Sequence, residues 1–108
     1  MVAATREREK RLGLHLPVEV TGEDPDGADF HHTARTLNIS GGGICFEGPL
    51  QVPVGSRLTL SITLPEGLRR HFGGDPVYRA RAVVCRVERL EGSPFSRVGA
   101  RFIREARA

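Results

Sequence analysis

Asn38-Ile39-Ser40-Gly41-Gly42-Gly43 is the stretch whose residue types and spacing are best equipped for chemistry. One amide, one hydroxyl and three glycines fall within it. They offer a side-chain donor and acceptor, a rotatable O–H, and backbone N–H groups that no Cβ shields. Such a set can hold a polar ligand. By itself it is also the composition of a turn, in which asparagine caps, serine bonds the backbone and glycine takes a positive φ. A second candidate is the run Arg6-Glu7-Arg8-Glu9-Lys10-Arg11. Its arginines are flat, two-pronged donors suited to phosphate and to guanine. With carboxylates between them, the run also reads as self-neutralising, solvated charge.

Covalent and metal chemistry find no foothold in the spacing. Ser40 lies among glycines, but no GxSxG elbow is present, and no Ser-His-Asp set has a local signature. The histidines are His15, His31, His32 and His71, and none has HxxxH or HExxH spacing. His31 and His32, adjacent in a strand, point to opposite faces. Cys45 and Cys85 belong to no CxxC pair and read as reduced core residues. Gly41-Gly42-Gly43 is not followed by a lysine and a helix, so it is neither a P-loop nor a dinucleotide fingerprint. The expectation is a protein without catalytic residues, metal or cofactor.

The elements that must position these residues read as strands. Leu12, Leu14, Leu16, Val18 and Val20 alternate with other residues at period two, the mark of a half-buried strand. Pro17 has no N–H and belongs on the outer face, at an edge or bulge. Residues 22–27 are a turn by composition. A second strand spans about 29–37 and a short third one 44–46. Leu58, Leu60, Ile62 and Leu64 mark the fourth. Residues 65–76 read as an exposed polar loop. Val77 to Leu90 is a long strand, with a bulge where Val83 and Val84 break the alternation. The last strand, Phe95 to Ile103, turns Val98, Ala100 and Phe102 inward. Six strands with short connections predict an all-β fold, an antiparallel sheet rolled into a barrel whose closure removes exposed edges.

The bulk numbers agree. A chain of 108 residues is one domain's worth, and 39% hydrophobic with 27% charged residues suits a folded core. The predicted organisation is a flexible basic arm at 1–11, a barrel domain at 12–104 and a short tail at 105–108. No apolar run approaches the roughly 20 residues of a membrane helix, and no apolar N-terminal stretch could serve a secretory signal. Membrane insertion is not expected, and a cytoplasmic location is. The formal charge is +3, and Lys10 is the only lysine. Arginine usage of this kind follows either from base composition or from an anionic partner, and a charge of +3 does not decide between them. Nucleic acid is a disfavoured partner, because five Phe, one Tyr and no Trp leave little for a base-stacking platform.

Four features stand in order along the chain: the arginine arm, the leucine-proline strand, the Asn38–Gly43 turn, and the ending Val98-Gly99-Ala100-Arg101-Phe102. Together they resemble the PilZ domain family. That family's D/N-x-S-x-x-G motif is matched by Asn38, Ser40 and Gly43, with Leu37 before and Ile44 after it. Its V-G-x-x-F strand is matched by Val98, Gly99 and Phe102. The resemblance extends from about Arg6 to Arg104. It implies a six-stranded antiparallel barrel that binds cyclic di-GMP without catalysis. In the family, an N-terminal R-x-x-x-R motif clasps the ligand while the D/N-x-S-x-x-G loop closes on a guanine.

Carried over residue by residue, the resemblance implies ligand contacts from Arg6, Arg8 and Arg11 of the arm and from Asn38, Ser40 and Gly43 of the loop. An arginine fork matches the adjacent O6 and N7 acceptors of guanine. The Asn38 oxygen can accept from a guanine N–H, and Ser40 can donate to phosphate or base. The arginine motif is altered: Arg11 falls at its second position, and the first is Glu7, flanked by Arg6 and Arg8. The alternative register, Arg6 to Lys10, ends on a lysine, a point charge without the fork. The helix that often ends the family is reduced to Glu105-Ala106-Arg107-Ala108, too short to be stable alone. The implied function is a second-messenger receptor whose arm orders on binding and is then read by an unidentified downstream protein. Two rival readings remain: a degenerate PilZ-like domain that binds no nucleotide and acts by protein interaction, and a small basic barrel that binds nucleic acid.

Overall fold

A computed structural model describes residues 14–23 and 26–103. Its six strands are β1 (Pro17–Glu23), β2 (Asp29–Ile39), β3 (Gly43–Gly48), β4 (Arg57–Thr63), β5 (Val77–Arg89) and β6 (Ser96–Phe102). They close into an antiparallel barrel in the order β1-β2-β3-β6-β5-β4, with β4 returning to β1. The expected all-β, six-stranded antiparallel barrel is the observed fold. The expected arm at 1–11 and tail at 105–108 lie outside the described residues. Among the described residues, no helix is long and apolar enough to cross a membrane.

The period-two pattern explains the core. Val18 and Val20 of β1, Leu58, Leu60 and Ile62 of β4, and Val98 and Ala100 of β6 all point inward and are buried. Phe46 of β3 is fully buried and is the largest side chain in the interior. Each such aliphatic or aromatic side chain removed from water contributes roughly 1.5–3 kcal/mol. Phe102, expected to face inward, packs on this cluster while remaining partly exposed.

Four local readings are corrected. The first strand begins at Pro17, although the alternation starts at Leu12. The Leu16 N–H donates to the Thr36 hydroxyl, 2.8 Å away, where a ladder would need a carbonyl, and Pro17 has no N–H to give. Residues 65–76 are not a plain exposed loop. They contain a 3₁₀ helix, Glu66–Phe72, whose Leu68 and Phe72 pack against the core. The helix ends at Gly73, with φ 89°, and seven residues, little more than two 3₁₀ turns, leave too short a helical period to read. The bulge in β5 falls at Cys85, because the register against β6 shifts between Val84 and Arg86. Val84 is buried inward, whereas Val83 faces out between Arg57 and Arg101. Finally, neither cysteine is a core residue: Cys45 is half-buried, Cys85 is exposed, and no disulfide joins them.

Candidate functional site

The turn between β2 and β3 is built by Ser40. Its backbone N–H donates to the Gly43 carbonyl at 2.9 Å. Its hydroxyl oxygen accepts from the N–H groups of Gly42 and Gly43, each at 3.2 Å. Serine bonding the backbone is therefore its observed local role. The hydroxyl itself donates to the Gly43 carbonyl in a long bond of 3.5 Å. The glycines are not needed for a left-handed backbone, since neither Gly41 nor Gly43 has a positive φ. The reason at Gly43 is close approach: a Cβ there would stand 2.6 Å from the Ala100 carbonyl oxygen. The Phe102 N–H donates to the Gly42 carbonyl at 2.9 Å, which ties the turn to β6.

Asn38 reaches the same surface through a bulge. The β2–β3 register shifts between Thr36 and Asn38, so Thr36 points into the core while Asn38 pairs with Cys45 and is half-buried. The consequence is an open depression of about 590 Å³ on the outer wall of the barrel. Asn38, Ser40, Gly42 and Gly43 form one side, and Cys85, Arg86, Gly99 and Arg101 form the other. Of the six residues expected to bind ligand, the structure brings together Asn38, Ser40 and Gly43. Arg6, Arg8 and Arg11 lie outside the described residues.

Two arginines of this surface were missed in the sequence reading. Arg86 on β5 and Arg101 on β6 are both exposed and both line the depression. The bulge at Cys85 gives Cys85 and Arg86 the same outward direction. Register then sets Arg86 opposite Gly99, which is itself opposite Cys45. The Arg86 Nε and Nη2 lie 3.9 Å from where a Gly99 Cβ would be. The absent side chain thus leaves a hollow floored by backbone and walled by guanidinium. No spacing rule could find Arg86, because a one-residue shift in the bulge decides its face. Arg101 sits inside the V-G-x-x-F stretch, where period two already placed it outward.

The first described residues are tied to the strand that carries Asn38. The Thr36 N–H donates to the Leu16 carbonyl at 2.8 Å, and the Thr36 hydroxyl donates to the Leu14 carbonyl. Leu14 is therefore pinned beside a residue only two positions from Asn38.

A closed six-stranded barrel with a serine-capped turn bonded to its last strand defines a class of small all-β barrel domains. Within that class, the PilZ domain family model matches residues 5–108, and the chain belongs to that family. No curated protein sequence matches it. Several solved structures share the fold. The Bacillus subtilis inhibitor of motility (MotI/DgrA) aligns with a TM-score of 0.61 at 24% identity, covering 94% of this chain and 44% of that one. K. pneumonia MrkH in its apo state aligns at 0.59 and 15%, covering 87% and 41%. The PilZ domain of Escherichia coli YcgR, solved with c-di-GMP, aligns at 0.59 and 17%, covering 91% and 78%. This chain thus spans less than half the length of MotI and of MrkH.

Proposed function

We propose that this domain is a non-catalytic receptor for cyclic di-GMP, which it holds between the Asn38–Gly43 turn, the strand arginines Arg86 and Arg101, and the arm that precedes Leu14. The observation that carries this reading is convergence. An amide, a hydroxyl whose own donation is a long 3.5 Å bond to the Gly43 carbonyl, and two exposed guanidinium groups line one depression. Guanine and phosphate require that donor set. The Asn38 amide oxygen accepts from a guanine N–H, and the Ser40 hydroxyl donates to phosphate or base. Arg86 or Arg101 presents a fork to guanine or phosphate.

The arm is part of the proposal through Arg11, Arg8 and Arg6. Leu14 is anchored at Thr36, and three residues of chain reach at most about 11 Å. Arg11 stands three residues before that anchor in the sequence, and its contact with the ligand is part of the proposal. The YcgR domain was solved with c-di-GMP, and MrkH was solved as a c-di-GMP complex. Both relatives lend support to the same ligand here.

Isothermal titration calorimetry with cyclic di-GMP tests the reading. Binding is expected, with affinity lowered by Ser40→Ala, Arg86→Ala and Arg11→Ala. Absence of heat at tens of micromolar ligand defeats it. That result would return the domain to the protein-interaction reading, which Glu7 at the first arginine position of the arm favours.

A further inference from the structure

The outer wall that β4 and β5 form beside β1 carries one sign of charge along both strands up to Glu88. Outward from β4 point Arg57, Thr59 and Ser61, and beside them on β5 stand Val83, Arg81 and Arg79, each paired in register. Arg57, Arg79 and Arg81 are all exposed. Neither β4 nor β6 contains a carboxylate, and β5 has none before Glu88. Among the described residues, the guanidinium groups of Arg57 and Arg79 make no ion pair or hydrogen bond. Of the carboxylates on the adjoining strand, Glu19, opposite Ser61, is turned toward β2, where it holds His31 and Thr33, while Glu23 follows Gly22, the register partner of Leu58, and borders Arg57 at the edge of the wall. The remaining acidic residue of β1 and β2, Asp29, pairs with Glu23 on the side of β1 away from β4.

We propose that the outward face of β4 and β5, centred on Arg57, Arg79 and Arg81, docks an acidic segment of a partner protein. Arg79 and Arg81 are two residues apart on one strand and so stand roughly 7 Å apart on the same face. That is the spacing of alternate side chains in an extended acidic peptide laid along β5. Arginine forks pair with carboxylates in two-pronged fashion, and arginine is enriched at protein interfaces. Thr59 and Ser61 supply hydroxyl groups between the cations. Nucleic acid fits less well. The outward positions here are Arg, Thr, Ser and Val, and the rings that border Arg79 and Arg81, Tyr78 and Phe102, are half-buried against the core, which makes a poor stacking platform for bases. The proposal is independent of the nucleotide reading, because neither Arg57 nor Arg79 lines the depression.

The test measures fluorescence anisotropy of a labelled peptide of alternating glutamate and serine, titrated with the full chain at low and at physiological salt. A lysine-serine peptide and a single-stranded oligothymidine serve as comparison probes. Binding of the acidic peptide is expected, weakening with salt. The double variant Arg57→Glu/Arg79→Glu should lose at least about tenfold in affinity. Arg57→Gln/Arg79→Gln should lose less, and both variants should keep the parent's far-ultraviolet circular dichroism and its titration with cyclic di-GMP. If charge reversal disturbs the fold, the glutamine variant alone must show the loss. Three results overturn the proposal: no binding of the acidic peptide, equal binding by parent and both variants, or tighter binding of oligothymidine that the same substitutions abolish. The last would reassign the face to nucleic acid.

Discussion

Alternate residues of one strand, β6, build two regions by opposite means. Val98 and Ala100 turn inward, where they are 0% and 6% exposed against Phe46 and the other core side chains. Gly99 and Arg101 turn outward and line the depression with Asn38 and Ser40. Inside, the structure depends on side chains that fill space at near-crystalline density. Outside, the candidate site depends on space left empty at Gly99 and on a strand crossing at Gly43 that tolerates no Cβ. Stability and the proposed binding therefore call on different residues, and substitutions should separate them.

Phe46→Ala should have the largest effect on stability. It deletes the biggest interior side chain, at a position paired with Thr36. The expected cost is about 3–5 kcal/mol. In a domain of this size that lowers Tm by more than about 10 °C, read by thermal circular dichroism. A small shift would show that the interior collapses around the gap and is looser than its burial indicates.

Thr36→Val comes next and touches both regions. Thr36 is a fully buried polar residue whose hydroxyl accepts from Leu16 and donates to Leu14. The near-isosteric valine removes both bonds and leaves buried backbone groups unpaired, for about 1–3 kcal/mol. It also releases the segment that leads to the arm. Calorimetry should accordingly show weaker cyclic di-GMP binding at a temperature where the variant is fully folded. Unchanged binding would disconnect the anchor from the site.

Gly99→Val should be the converse. Gly99 has no positive φ, and its added Cβ would meet Arg86 atoms at 3.8 Å or more, an ordinary contact. Valine suits a strand, so stability should change by no more than about 0.5 kcal/mol. The side chain would nevertheless fill the floor of the depression, and cyclic di-GMP affinity should fall at least about tenfold. Equal losses of stability and binding would mean that the hollow is a packing feature and not a binding surface.

This division also explains what the sequence made legible. Six strands could be read because alternation in β1, β4 and β6 reports a filled interior, and nearly every inward residue follows from it. Asn38, Ser40 and Gly43 were legible as a set because turn chemistry is local: Ser40 bonds the backbone two and three residues ahead. Arg86 was hidden, since its direction depends on whether the bulge falls at Val83 or at Cys85. Cys45 and Cys85 were misread as core residues for a related reason, because a small apolar side chain suits either face of a strand. The 3₁₀ helix was hidden by its length, and its anchors Leu68 and Phe72 show only once the barrel end is in place. Periodicity reports burial, whereas an outward site is set by register.

Glu88→Ala should have the smallest effect of all. Arg97 stands between two carboxylates, Glu47 on β3 at 3.7 Å and Glu88 on β5 at 3.8 Å, forming a charged rung across three strands. The rung is on the outer wall, with the Glu88 side chain 60% exposed, so solvent screens most of its attraction. Losing Glu88 still leaves Glu47 to pair with Arg97, and Glu47 is the less exposed of the two at 29%. The expected change is below about 0.5 kcal/mol, within a few degrees of the parent Tm and smaller still in high salt. Cyclic di-GMP binding should be unaffected, because none of the three residues lines the depression. A larger loss that persists in high salt would show that the rung fixes the β3–β6–β5 register. In that case the placement of Arg86 opposite Gly99 would depend on charge outside the barrel as well as on packing within it.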